Sequence, residues 1–181
     1  MTRNWSRREF VGMGMAASAG LALSGMAQGQ EAGPKPVRVG VVGVGNRGTS
    51  LTGNLLRLPG VQIPAVCDIN PEHLARAQAL VETAGQPKPE GYGENEAAYE
   101  KLMARDDLDA VIIASYWQCH TPMAVCAMRN GKYAGVEVPA ALDVAQCWDL
   151  VNTSEQTGVP CMMLENWSFR QDNLAVLNMI R

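Results

Sequence analysis

The 181-residue chain carries 15 Lys and Arg against 18 Asp and Glu, a formal net charge of −3, with 47% hydrophobic and only 6% aromatic residues. With no basic block beyond Arg7-Arg8 and little aromatic interleaving, it lacks the electrostatic footprint of a nucleic-acid binder, so no nucleic-acid partner is expected. The five cysteines are odd in number and form no CxxC pair, which indicates neither a disulfide framework nor a zinc site; no metal is expected.

Ser6-Arg7-Arg8-Glu9-Phe10 precedes an apolar, Gly/Ala/Met-rich run from Val11 to Ala27. This resembles a twin-arginine export signal, and the run is too short and too weakly apolar for a membrane span. Residues 1–30 are therefore read as a leader with cleavage near Ala27, and 31–36, rich in Pro and Gly, as a tether. The expected product is periplasmic or secreted, with no stable membrane span once the leader is removed. A route that carries folded proteins also reconciles export with the cysteine-rich remainder. About 145 residues are left, the size of one dinucleotide-binding unit.

Val37 to Val42 is a short apolar strand followed by Gly43, Gly45 and Gly48, the GxGxxG turn that opens a helix and seats a dinucleotide pyrophosphate. Gly43 allows the tight turn, Gly45 lets backbone approach the pyrophosphate, and Gly48 lets helix and strand pack closely. The helix places Leu51, Leu55 and Leu58 on one face and stops at Pro59-Gly60. Val61 to Cys67 is the next strand, weakened by Pro64. Asp68 at its end, about 20 residues beyond Gly48, is the acid expected to accept the adenosine ribose hydroxyls and repel a 2′-phosphate, favouring NAD over NADP. Asn46 and Arg47 lie within the turn, where Arg47 has two open readings: phosphate contact or a solvated surface position.

Asn70 as N-cap candidate and Pro71 at the first helical position start a helix with Leu74, Ala77, Leu80 and Val81 inward, and His73 in its first turn is read as a bland position away from the site. Gly85 to Gly93 reads as a polar loop. A short helix from Glu96 to Met103 leads into a buried strand, Ala110 to Ser115. Tyr116 and Trp117 follow as large loop groups that stack on a ring or roof a crevice, and His120 as either a site residue beside the nicotinamide or a helix cap. Helix is expected at about Pro122 to Met128, strand at Tyr133 to Val138, a capping box at Asp143 and Gln146, and strand at Cys161 to Glu165. Met162-Met163 reads as core. A last helical pattern runs through Leu174, Val176-Leu177 and Ile180. Strand and helix alternate about five times, the signature of a doubly wound parallel sheet of Rossmann type. Its ligand lies outside the strands' carboxyl ends, where Glu137, Glu165 and Asn166 join the glycine turn and Asp68.

The runs VRVGVVGVGNRG, CDINPEH, HTPMAVCAMRNGKYAGVEVPAA, QCWDLV and MMLENWSFRQDNLAVLNMIR resemble the N-terminal half of the glucose-fructose oxidoreductase / inositol dehydrogenase superfamily. Within it the chain is most similar to the NAD-dependent glycoside hydrolases of family 109, whose described activity is α-N-acetylgalactosaminidase. The resemblance implies an NAD-binding domain over 37–165, a connection over 166–181, and a second α/β substrate domain beyond Arg181. That domain would supply the catalytic tyrosine and histidine and any homo-oligomer contact. It implies a cofactor set of Gly43, Gly45, Asn46, Arg47, Gly48, Asp68, Tyr116, Trp117, His120, Glu137 and Asn166. Where the superfamily's dehydrogenases carry Glu-Lys-Pro, this chain has Glu137-Val138-Pro139, and valine has no proton to exchange. The implied chemistry is therefore a glycosidase cycle of oxidation, elimination, addition and reduction on a small-molecule glycoside. The alternatives are a sugar or polyol oxidoreductase with net hydride transfer, or a nucleotide-binding module without turnover.

Overall fold

The structure, a computed structural model, describes residues 35–180. The expected leader and the start of the tether lie outside the described residues. In chain order the elements are β1 (Val37–Val42), α1 (Asn46–Leu55), β2 (Val61–Cys67), α2 (Pro71–Thr83), β3 (Glu90–Tyr92), α3 (Ala98–Met103) and β4 (Ala110–Ile113). They continue as α4 (Trp117–Arg129), β5 (Tyr133–Val136), α5 (Val144–Thr157), β6 (Cys161–Met163), a 3-10 turn (Trp167–Phe169) and α6 (Gln171–Met179).

Six strands form one parallel sheet in the order β3-β2-β1-β4-β5-β6. This is the expected doubly wound fold with one strand more than the apolar pattern shows. Glu90–Tyr92, expected as loop, pairs with Ala65–Cys67 at the sheet edge. Its Glu-Gly-Tyr sequence carries no apolar run because an edge strand need not be buried on both faces. Pro64 sits where the β1–β2 register slips, between the pairs Arg38↔Gln62 and Gly40↔Ala65. Pairing with β3 begins only at Ala65, so the missing N–H of Pro64 falls at an irregularity.

Successive strand residues point to opposite faces, and both faces are covered, which is why the runs are continuously apolar. On one face Val42, Val111, Ile113 and Val136 pack with Leu102 and Met103 of α3 and Met128 of α4. On the other Val41, Ile63 and Val66 meet Ala77 and Val81 of α2. Full burial of a side chain such as Leu102 or Ile113 contributes about 1.5–3 kcal/mol.

Several local expectations are corrected. Helix α1 buries Gly48 and Thr52, while Leu58 lies beyond its end and is exposed. Leu55 of α1 packs half-buried against the cluster of Val41, Ile63 and Val66, while the turn itself is met by Gly48. Helix α4 starts at Trp117 rather than near Pro122, with Pro122 inside it. Pro122 has no N–H to give the Gln118 carbonyl one turn back, and Gln118 is exposed, where water meets that need. Met162 and Met163 are exposed, at 45% and 49%, because no described helix covers that stretch of β6.

Candidate functional site

Strand β1 ends at Val42, and Gly43 turns the chain with φ 81°, its N–H donating to the Cys67 carbonyl at 2.8 Å. A Cβ on Gly43 would stand 2.6 Å from the backbone of Ala114 and Ser115, where β1 and β4 part company. On Gly48 it would stand 1.8 Å from the Gly43 carbonyl oxygen. Both glycines are thus required by the protein's own backbone. Gly45 differs: a Cβ there meets only the His73 ring, at 3.7 Å, and otherwise opens on the crevice. Nothing in the protein's own backbone fills the space a Cβ at Gly45 would take, and such an open approach is what a pyrophosphate contact needs. Gly45 caps α1 without a side-chain bond and the first turn holds no acid, an arrangement that suits an anion at the helix start.

Asp68 stands at the end of β2 with its side chain 11% exposed. One carboxylate oxygen accepts from the Asn70 N–H at 2.9 Å, and the other lies 3.4 Å from His73 Nδ1. His73 is a correction: the first turn of α2 brings it onto the crevice wall, because Asn70 caps that helix beside Asp68, accepting from the N–H groups of Glu72 and His73. Ile69, Tyr99, Tyr116 and Met123 line the apolar part, with Glu96 at its edge. Burial first, then the charges of Asp68 and Glu94, push the Cys67 thiol up to about 12, so it stays neutral in the crevice. Tyr116, hydrogen-bonded to Cys119 and facing the Glu96 charge, is likewise pushed up to about 12 and remains a phenol.

A second cluster lies on the same rim. Arg47 Nε donates to Glu137 Oε1 at 2.8 Å, and its Nη2 donates to Asn166 Oδ1 at 3.2 Å. Arg47 is therefore neither free surface nor an unattached phosphate ligand; it spans from the glycine turn to the ends of β5 and β6. Glu137 is 9% exposed and paired. Glu165 lines the same surface and accepts from the Trp167 N–H at 2.6 Å.

His120 takes neither expected role. It is 1% exposed, with Nδ1 at 2.8 Å from the Pro139 carbonyl and Nε2 at 3.0 Å from that of Ser115. Both ring nitrogens face backbone carbonyls, and the ring N–H donates to one or the other according to tautomer, so His120 braces the β4–α4 turn against the β5–α5 connection and presents no nitrogen to the crevice. Thr121 Oγ1 adds a bond to the Ala140 carbonyl at 2.9 Å. Trp117 is the first residue of α4 rather than a loop group and is 60% exposed; Asn46 is exposed at the start of α1. Sequence reasoning missed His73, Glu96 and Tyr99, whose only signal was nearness to the ends of strands. Among the described residues no cluster of His, Cys, Asp and Glu suits a metal, and no helix is long and apolar enough to cross a membrane.

With the turn at the β1/β4 divide and an acid closing β2 in place, residues 37–165 match the Gfo/Idh/MocA oxidoreductase family with its NAD-binding Rossmann fold. The chain belongs to that family. The cofactor of this Gfo/Idh/MocA domain is NAD. It is 42% identical to a glycosyl hydrolase family 109 protein of Saccharopolyspora erythraea over 97% of this chain and 42% of that protein. It is 48% identical to one of Shewanella pealeana over 80% of this chain and 32% of that protein. The chain thus spans less than half the length of the curated relatives it matches. The structure of scyllo-inositol dehydrogenase from Lactobacillus casei with bound NAD(H) and scyllo-inositol superposes with a TM-score of 0.69, covering 81% of this chain and 41% of that one at 20% identity. That likeness shows the shared fold.

Proposed function

We propose that this chain is the cofactor-holding half of a family 109-like glycosidase that hydrolyses terminal α-linked N-acetylgalactosamine with retention, NAD⁺ being regenerated in each turnover. The observation that carries the reading is Val138, between the paired Glu137 and Pro139 on the crevice rim, where a dehydrogenase of the superfamily would present lysine. Likeness to the two family 109 proteins supports it. In this assignment Gly45 and the uncapped first turn of α1 hold the pyrophosphate, and Asp68 accepts from the adenosine ribose. Tyr116 and Trp117 flank the opening. Arg47 holds Glu137 and Asn166 toward the nicotinamide end, where the carboxylate orients a hydroxyl group. Bound NAD⁺ supplies a reversible hydride acceptor. The catalytic tyrosine and histidine, and any self-association, belong to a domain beyond Arg181.

A chromogenic α-N-acetylgalactosaminide incubated with the complete protein, while NADH absorbance is followed, tests this. Aglycone release without net NADH is expected. Stoichiometric NADH without cleavage would overturn the glycosidase in favour of a sugar or polyol oxidoreductase. We further propose export by the twin-arginine route from Arg7-Arg8. Changing both to lysine should strand the product in the cytoplasm, and a variant still exported by that route would refute the leader.

A further inference from the structure

Three observations meet at His73. Its Nδ1 lies 3.4 Å from Asp68 Oδ2, an ion-pair separation when the ring is protonated. The same ring edge is what a Cβ on Gly45 would meet, at 3.7 Å, so the imidazole stands between the ribose acid and the glycine of the pyrophosphate turn. It lines the crevice with its side chain 35% exposed, and so remains reachable by solvent protons.

The charges around it set the sign. Asp68 faces it from the end of β2, and Glu96 lines the same crevice from the segment before α3. On its own helix Glu72 is adjacent, while the Arg76 guanidinium is held at the glycine turn, its Nη2 donating to the Val44 carbonyl at 3.4 Å and to Thr49 Oγ1 at 3.3 Å, a charge that does not change with pH. The glycine turn adds no charge before Arg47, which is held by Glu137. The thiol of Cys67 stays neutral. With His73 neutral, the crevice wall offers two carboxylates to a ligand whose pyrophosphate is itself anionic. A protonated imidazole offsets one of them at the point where ribose and pyrophosphate join.

We propose that His73 is a positioning residue that makes NAD affinity pH-dependent: charged, it holds the Asp68 carboxylate and favours the pyrophosphate, and affinity declines as the ring loses its proton. This rests on the assignment of the crevice to NAD and adds a proton-linked control to it.

The test is calorimetric titration of NAD⁺ into the cofactor-stripped complete protein between about pH 5.5 and about pH 8.5, a range that brackets imidazole titration. Wild-type affinity is expected to fall about three- to tenfold across that range, the scale of one charge at a partly hydrated site. His73→Gln should be flat at the weak level reached by wild type in alkali, and His73→Lys flat at the tight level, which a purely structural role for the ring would not produce. A flat wild-type profile, or a slope retained in His73→Gln, overturns the inference while leaving the cofactor assignment standing. No NAD⁺ binding by wild type at any pH overturns both. Thermal melts establish that the variants fold, and the wild-type slope remains decisive if one does not.

Discussion

At Gly48 a Cβ would stand 1.8 Å from a backbone oxygen that cannot move without opening the turn, whereas at Gly45 it meets only a side-chain ring at 3.7 Å. Gly48→Ala is therefore expected to cost about 3 kcal/mol or more in urea denaturation, as backbone overlap in a packed turn does. Gly45→Val should leave the melting temperature near that of the parent and weaken NAD retention instead; unchanged retention in a folded Gly45→Val protein would count against the pyrophosphate site. In the proposed cofactor site Asp68 would act through charge and hydrogen bonding together. Asp68→Ser is expected to weaken NAD binding and narrow the preference over NADP by about tenfold in equilibrium titrations, since a lost charge-assisted bond and relieved repulsion are each on that scale. Equal or tighter NADP binding by the unaltered protein would contradict the role given to Asp68.

Helix α2 owes its start to Asn70, whose side chain accepts from the N–H groups of Glu72 and His73 at 2.9 and 3.4 Å. Asn70→Ala should cost about 1 kcal/mol of stability, the usual worth of such a cap. Because the same turn carries Asp68 and His73, NAD affinity should fall with it. Strands β1 and β4 are tied at their amino ends by the Arg38–Asp109 pair, in which Asp109 also accepts from the Arg38 N–H at 2.8 Å. The Arg38 guanidinium and that N–H hold the Asp109 carboxyl down at about 2. A depressed carboxylate stabilises the fold above its ordinary range, and that contribution is lost as pH falls toward about 2. Both side chains are more than a third exposed, at 37% and 44%, so screening keeps the effect small. Asp109→Asn should lower the melting temperature modestly at neutral pH, and the difference from the parent should shrink on acidification.

Beyond β6, Trp167 and Phe169 are 61% and 70% exposed, and α6 buries no residue. With Met162 and Leu177 exposed as well, this end of the described residues is rich in exposed apolar side chains. The 181-residue chain by itself is expected to bind an apolar reporter dye there and to bind NAD without glycoside turnover. Fluorescence titration and the chromogenic assay check the two, and turnover by this chain alone would overturn the assignment of catalytic groups to a further domain.

The doubly wound fold, the glycine turn, the acid ending β2 and the Asn70 cap were legible in the chain because each is written in local terms: apolar runs, φ requirements, and N–H groups awaiting an acceptor. Asp143 was legible in the same way, accepting from the Gln146 N–H at 2.8 Å, but the reciprocal half of the box was not, since Gln146 Oε1 accepts instead from Leu142 N–H at 2.8 Å. Strand β3 escaped because a three-residue edge strand has no pattern to show. The pairing of Arg47 with Glu137, 90 residues apart, and of His120 with the Pro139 carbonyl was decided only when the crossovers set strand order, whereas His73 meets Asp68 through the local turn that Asn70 caps. Periodicity tells which face a side chain takes. Which other side chain waits there depends on the order and register of the sheet, and these are properties of the whole chain.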